Sequence, residues 1–136
     1  MPIWEYVNPK NVAHALLRAA SALMPTHGAI HYPSMAKLLV LYNQPADPAA
    51  FDRHYAETHI PIARKIPGVR SYTINAAPPI VAAGTVSPYL IAELQFDTMA
   101  ALQSAMASPE GQAAAADLPN FAQAGVSLLV YETRDA

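Results

Sequence analysis

Two segments of this chain alternate as β-strands do yet are apolar on both faces, and that limits the folds open to it. In the first, Leu38, Val40 and Tyr42 alternate with Leu39 and Leu41. In the last, Leu128 and Val130 alternate with Leu129 and Tyr131. A strand with one side in water shows polar residues at every second position. These two do not, so each needs cover on both faces.

The breakers between them set the order of elements. Residues 37–42 read as a strand. Asp47 and Pro48 then open a helix, the carboxylate capping first-turn N–H groups and the proline sitting where its missing N–H is harmless. Arg64 and Lys65 suit the last turn of that helix near Ile66, and Pro67-Gly68 stops it. Residues 69–76 and 89–96 read as strands joined by a proline-rich loop of about a dozen residues, long enough to imply function or mobility. Asp97 is expected to cap a helix through about 107. Ser108-Pro109-Glu110 starts another over the alanine-rich run to Asp117, and 126–133 is the last strand. The order β-α-β-β-α-β is the split βαβ, ferredoxin-like α+β arrangement. Its helices cover one face of a four-stranded antiparallel sheet. The other face is most simply buried by a second copy, giving a homodimer with sheets face to face.

Composition agrees: 53% hydrophobic against 13% charged residues is apolar for a soluble domain and fits surface buried between copies. A net charge of −2 without a basic cluster argues against nucleic acid or anionic lipid as partner. The charge-free run 71–92 contains Pro78, Pro79, Gly84 and Pro88, so it is strand–loop–strand and not a membrane span. Without cysteine there is no disulfide, thiol nucleophile or zinc–thiolate site, which fits a cytoplasmic protein. Residues 1–34 stand apart as an N-terminal extension to a domain over 35–136. Val12, Leu16, Ala20 and Leu23 place a helical stripe over 11–24, before Pro25, Gly28 and Pro33 interrupt the chain. The extension either packs loosely or covers an edge or partner surface. Glu5 and Arg18 argue against a secretory signal, and His14, His27 and His31 share no metal-site spacing.

The chemistry concentrates in 51–68, FDRHYAETHIPIARKIPG. Phe51, Tyr55, Thr58, His59, Ile62 and Ile66 form the stripe that should face the sheet. His54 and His59 are five apart, about 140° around a regular helix, so they are not an i, i+4 metal pair and His54 belongs on the flank. Pro61 removes the hydrogen bond to the Glu57 carbonyl and should kink the helix at His59. Two readings of His59 stay open: a base or hydrogen-bonding group held in one tautomer by the freed carbonyl, or a buried histidine satisfied by it. On the second strand Tyr72 is expected to face the helix and His59, as an orienting donor or as a core tyrosine. Glu93 is expected either on the dimer-facing side or as a site carboxylate. Nothing in the residues requires a metal or organic cofactor.

These residues resemble the EthD family. The resemblance rests on KLLVLY before Phe51, His54-Tyr55, His59, Pro61 and Pro67-Gly68, then on Tyr89, Phe96, the Ser108-Pro109-Glu110-Gly111 turn, Asp117 and Phe121. It runs from Met35 to the C-terminus. It implies a dimeric α/β-barrel of ferredoxin-like subunits, and a catabolic protein acting beside an oxygenase system on a small apolar or oxygenated organic molecule. It sets beside this the isomerases and cofactor-independent monooxygenases of the same barrel type, or a non-catalytic ligand carrier. In a related methylmuconolactone isomerase the positions matching His59 and Tyr72 are implicated in the site, so these two are the expected catalytic residues. His54, Tyr55 and Tyr89 are the expected substrate contacts.

Overall fold

The computed structural model describes residues 34–136. The N-terminal extension, its helix over 11–24 and its three histidines lie outside the described residues. From Met35 the order is β1 (Met35–Tyr42), helix α1 (48–63), β2 (Ser71–Ile74), β3 (Leu90–Phe96), α2 (Met99–Ala107), α3 (Pro109–Phe121) and β4 (Val126–Thr133). The strands form one antiparallel sheet in the order β2-β3-β1-β4. This is the expected ferredoxin-like α+β fold, with β1 and β3 at its centre.

Strand register sorts the residues into two layers. Ala36, Leu38, Val40 and Tyr42 pair with Phe96, Leu94, Ala92 and Leu90, and all eight are buried under the helices. Lys37, Leu39 and Leu41 of β1, Ile91, Glu93 and Gln95 of β3, and Leu129 and Tyr131 of β4 share the opposite face. Along β1 and β3 buried and half-buried positions alternate strictly, so among the described residues only one face is covered.

Local chemistry shifts several boundaries. The cap of α2 is Thr98, whose hydroxyl accepts from the Ala101 N–H at 3.0 Å, and not the expected Asp97. Asp97 is drawn away by Arg70, whose Nε donates to both its oxygens at 3.0 Å. Ser108 caps α3 as expected, accepting from the Gly111 N–H at 3.1 Å. That helix runs past Asp117, through Pro119, to Phe121. Pro119 deprives it of one internal donor, but Leu118 and Phe121 are buried and hold the last turn on the core. The Gln123 amide donates to the Pro119 and Asn120 carbonyls at 3.1 and 3.0 Å and closes the end. Strand β2 is shorter than the expected 69–76 because Asn75 turns the chain away. Its side chain accepts from the Ile91 N–H at 2.8 Å and donates to the Ala77 carbonyl at 2.9 Å, tying together the two ends of the proline-rich loop.

Candidate functional site

Helix α1 carries the site, and it is not a uniform α-helix. Pro48–His54 is α-helical, Tyr55–His59 forms a π-helical turn, and Ile60–Ala63 is α-helical again. Asp47 and Pro48 start it as expected, with the carboxylate accepting from the Ala50 N–H at 3.1 Å. Pro61 has no N–H to give Glu57 and crowds that carbonyl. The preceding turn is widened, with the Ile60 N–H bonded to the Tyr55 carbonyl, a geometry that accommodates the proline. The expected kink with a freed carbonyl is replaced by this turn, and helical geometry ends at Ala63 rather than Ile66.

The π turn overturns the angular argument that separates the two histidines. With an i→i+5 turn between them, residues five apart lie above one another and not 140° apart. His54 and His59 therefore reach the same group, the Asp117 carboxylate on α3. His54 Nε2 lies 2.9 and 3.0 Å from its two oxygens, and His59 Nδ1 lies 2.9 Å from Oδ2. The Asn120 amide donates to Oδ1 at 3.1 Å. His59 and Asp117 are buried, while His54 keeps an exposed edge and stacks on Phe121 with ring centroids 5.0 Å apart.

Burial by itself would raise the Asp117 carboxyl, but hydrogen bonds from Asn120, His59 and His54 outweigh it and hold its pKa below the ordinary carboxylate value. Burial lowers the pKa of His59, and the Asp117 contact only partly offsets that. The resulting pair is an ionised carboxylate and a neutral imidazole. A carboxylate only accepts, so His59 carries its proton on Nδ1 and leaves Nε2 as a bare acceptor. The carboxylate, not backbone carbonyl, sets this tautomer. Sequence reasoning gives Asp117 no role, although its signal is legible: a lone carboxylate on the stripe Ala114, Leu118, Phe121 must be buried, and a buried carboxylate needs donors.

His59 borders a cavity between the helices and the inner face of the sheet, walled by Leu38, Val40, Leu94, Met106, Ala115 and Leu118 among others. It leaves about 40 Å³ for the centres of water molecules, room for roughly three waters. Among the described residues His59 Nε2 has no hydrogen-bond partner, and no fully enclosed side-chain N or O lacks one. That nitrogen therefore opens on the cavity. Tyr72 and Tyr55 border the same space, but the Tyr72 hydroxyl meets the Tyr55 hydroxyl at 2.5 Å and makes no bond to His59. Burial raises both phenol pKa values. Both stay protonated, so one hydroxyl donates within the pair and the other keeps a free O–H.

The remaining expected residues sit elsewhere. Tyr89 is not in the cavity wall; its hydroxyl donates to Asp52 at 2.8 Å, and its ring packs edge-on to Phe51 in a separate surface groove. Glu93 lies on the outer sheet face, where it accepts from Lys37 at 2.7 Å. Among the described residues no group of three or more His, Asp or Glu is arranged to hold a metal ion. None of their helices is long and apolar enough to cross a membrane.

The model of the EthD domain matches residues 43–125, a span that includes His54, His59, Tyr72 and Asp117. The chain belongs to the EthD family. It is 43% identical over 101 residues to an uncharacterized 11.0 kDa protein in the thcB–thcC intergenic region of Rhodococcus erythropolis, covering 70% of this chain and 91% of that one. It is similar to the crystal structure of an EthD family protein from Bacillus halodurans, at 39% identity and a TM-score of 0.66, over 73% of this chain and 98% of the other. SnoaB, a cofactor-independent oxygenase from Streptomyces nogalater, is alike at 15% identity and a TM-score of 0.51, over 76% and 96%. At that identity the likeness speaks for the fold alone. Within this EthD domain the matched segment holds the whole α1–α3 clasp and the tyrosine pair.

Proposed function

We propose that this EthD protein binds a small, largely apolar organic molecule bearing an oxygen in the cavity between α1 and the sheet. His59 acts on it as proton acceptor or hydrogen-bonding group. One observation carries the reading: Asp117 holds His59 Nδ1, which leaves a bare Nε2 for a cavity whose other walls are apolar apart from tyrosine hydroxyls. The free O–H of the Tyr55–Tyr72 pair supplies a donor on the same cavity. Acceptor and donor together suit a hydroxyl, or a carbonyl whose neighbouring proton is to be removed, and apolar walls strengthen both contacts by excluding water. His54 supports the site through Asp117, and Tyr55 through Tyr72.

Family membership supports a catabolic setting in the cytoplasm, as the partner of an oxidoreductase system. The same base would serve a cofactor-independent isomerase or monooxygenase of this barrel type. The half-buried apolar outer face, with Leu39, Leu41, Ile91 and the exposed Leu129, supports a homodimer built sheet to sheet.

Mass spectrometry of small molecules that co-purify with the native protein, wild type against His59→Ala, tests the binding reading. An oxygenated compound held by wild type and lost from the variant is expected; its retention by both would make His59 structural. Sedimentation velocity tests assembly, and a monomer at micromolar concentration would remove the dimer.

A further inference from the structure

Beside His59, Tyr55 and Tyr72 the cavity is bordered by a fourth polar side chain, Tyr42. Tyr42 ends β1 on the inner face and is among the most completely buried side chains of the protein. Its ring is fixed by Phe51, Tyr55 and Phe121, with centroids 5.5, 5.6 and 5.6 Å away. A tyrosine this deep ordinarily finds a partner for its hydroxyl, because an unsatisfied buried hydroxyl is penalised. Among the described residues the Tyr42 hydroxyl has none, yet it is not sealed off, since no fully enclosed side-chain oxygen there lacks a partner. Tyr42 borders the cavity with His59, Tyr55 and Tyr72, so its hydroxyl opens there. In sequence it passes for one more apolar strand residue, since strand alternation counts its ring and ignores its oxygen.

We propose that Tyr42 is a ligand-contacting residue, and that the molecule bound here carries two oxygen functions on a compact apolar skeleton. One meets His59 Nε2 and the tyrosine pair; the other meets the Tyr42 hydroxyl. The inference rests on the cavity being a ligand site. It adds a specificity determinant: a molecule with a single oxygen leaves the Tyr42 hydroxyl unsatisfied and is disfavoured. Space for about three waters demands a compact skeleton, with a single ring at its upper limit. Burial holds this phenol protonated by raising its pKa well above the ordinary value, so it serves as a donor.

The test titrates wild type and Tyr42→Phe with phenol, catechol, resorcinol and hydroquinone, read by calorimetry and by melting temperature. In wild type at least one dihydroxybenzene should bind about tenfold more tightly than phenol, the scale of one added hydrogen bond in a buried site. In Tyr42→Phe that preference should shrink to within about twofold. Without ligand, Tyr42→Phe should melt within about two degrees of wild type, because no protein hydrogen bond is lost. A clear drop in the ligand-free melting temperature would mean the hydroxyl has a protein partner, and would overturn the inference. So would a preference for two oxygens that survives the substitution, or its absence from wild type that binds phenol. Wild type that binds none of the four overturns the ligand-site reading itself, and this inference with it.

Discussion

His59 Nδ1 lies 2.9 Å from Asp117 Oδ2, although 58 residues separate them, and both side chains are about nine-tenths or more buried. The bond ties the π turn of α1 to α3 and decides which nitrogen of the imidazole faces the cavity. Fold and chemistry thus depend on the same contact. The carboxylate that satisfies a buried ring also leaves the opposite ring nitrogen as an acceptor.

Asp117→Asn should separate these two roles. An amide oxygen can accept from one histidine, but the amide brings its own donors against the other and lacks the charge that strengthens each bond. We expect a loss of about 2–3 kcal/mol of stability, on the scale of one charge-assisted hydrogen bond, and ¹⁵N shifts of His59 that report mixed tautomers. A His59 ring that stays wholly in the Nδ1–H form would show that something other than Asp117 sets it.

Stability should fall on mild acidification, with His59 responsible for the first part. Burial puts the folded pKa of His59 below its ordinary 6.5, so below that pH the unfolded chain binds a proton the folded chain resists. Its contribution is complete above about 6.5 and is lost as pH falls toward the folded value. Asp117 is lowered from 3.8, so its contribution is present above that pH and is lost as pH falls further, through its folded value. Melting temperature followed from pH 7.5 to 5 should decline in wild type and more shallowly in His59→Gln. Parallel profiles would assign the decline to other groups.

Gly111 fixes the join of α2 and α3. A Cβ there would stand 2.2 Å from the Ala105 carbonyl oxygen and 2.8 Å from the Met106 Cα, and backbone cannot swing aside as a side chain can. Gly111→Ala is expected to cost about 1–3 kcal/mol, at the upper end of that range, as overpacking does. Calorimetry that finds a melting temperature within about one degree of wild type would show that the helices part without strain.

The sheet was legible in the sequence because strand alternation and breaker residues carry its order directly. Leu39 and Leu41 read as a second apolar face, and both lie on the half-buried outer side. His59 was legible as the inward histidine, from the stripe it shares with Phe51 and Tyr55. The joint grip of His54 and His59 on Asp117 was not, because helical-wheel reasoning assumes 3.6 residues per turn and α1 departs from that for one turn. Asp97 failed as a cap for a related reason: two residues that can each cap stand side by side, and only the distant Arg70 decides between them. The Tyr55–Tyr72 bond joins a helix to an edge strand, a contact that no local pattern encodes.

Pro61→Ala tests whether the proline is what places the histidines in line. The substitution returns an N–H that can bond the Glu57 carbonyl and removes the ring that crowds it, so a regular α-helix becomes available from 48 to 63. A regular helix would carry His54 about 140° away from His59 and break its bonds of 2.9 and 3.0 Å to Asp117. Opposing this, reversion would strip the bifurcated charge-assisted hydrogen bond of His54 from a buried carboxylate and rotate His54 off Phe121. The gain is one backbone hydrogen bond of about 1 kcal/mol and relief of crowding, and the loss is one bifurcated charge-assisted hydrogen bond of about 1.5–3 kcal/mol together with the stacking on Phe121. The clasp should therefore win. Pro61→Ala is expected to keep the His54 and His59 ¹⁵N shifts of wild type. Altered histidine shifts in Pro61→Ala alone would mean that the proline, and not the carboxylate, holds the turn open.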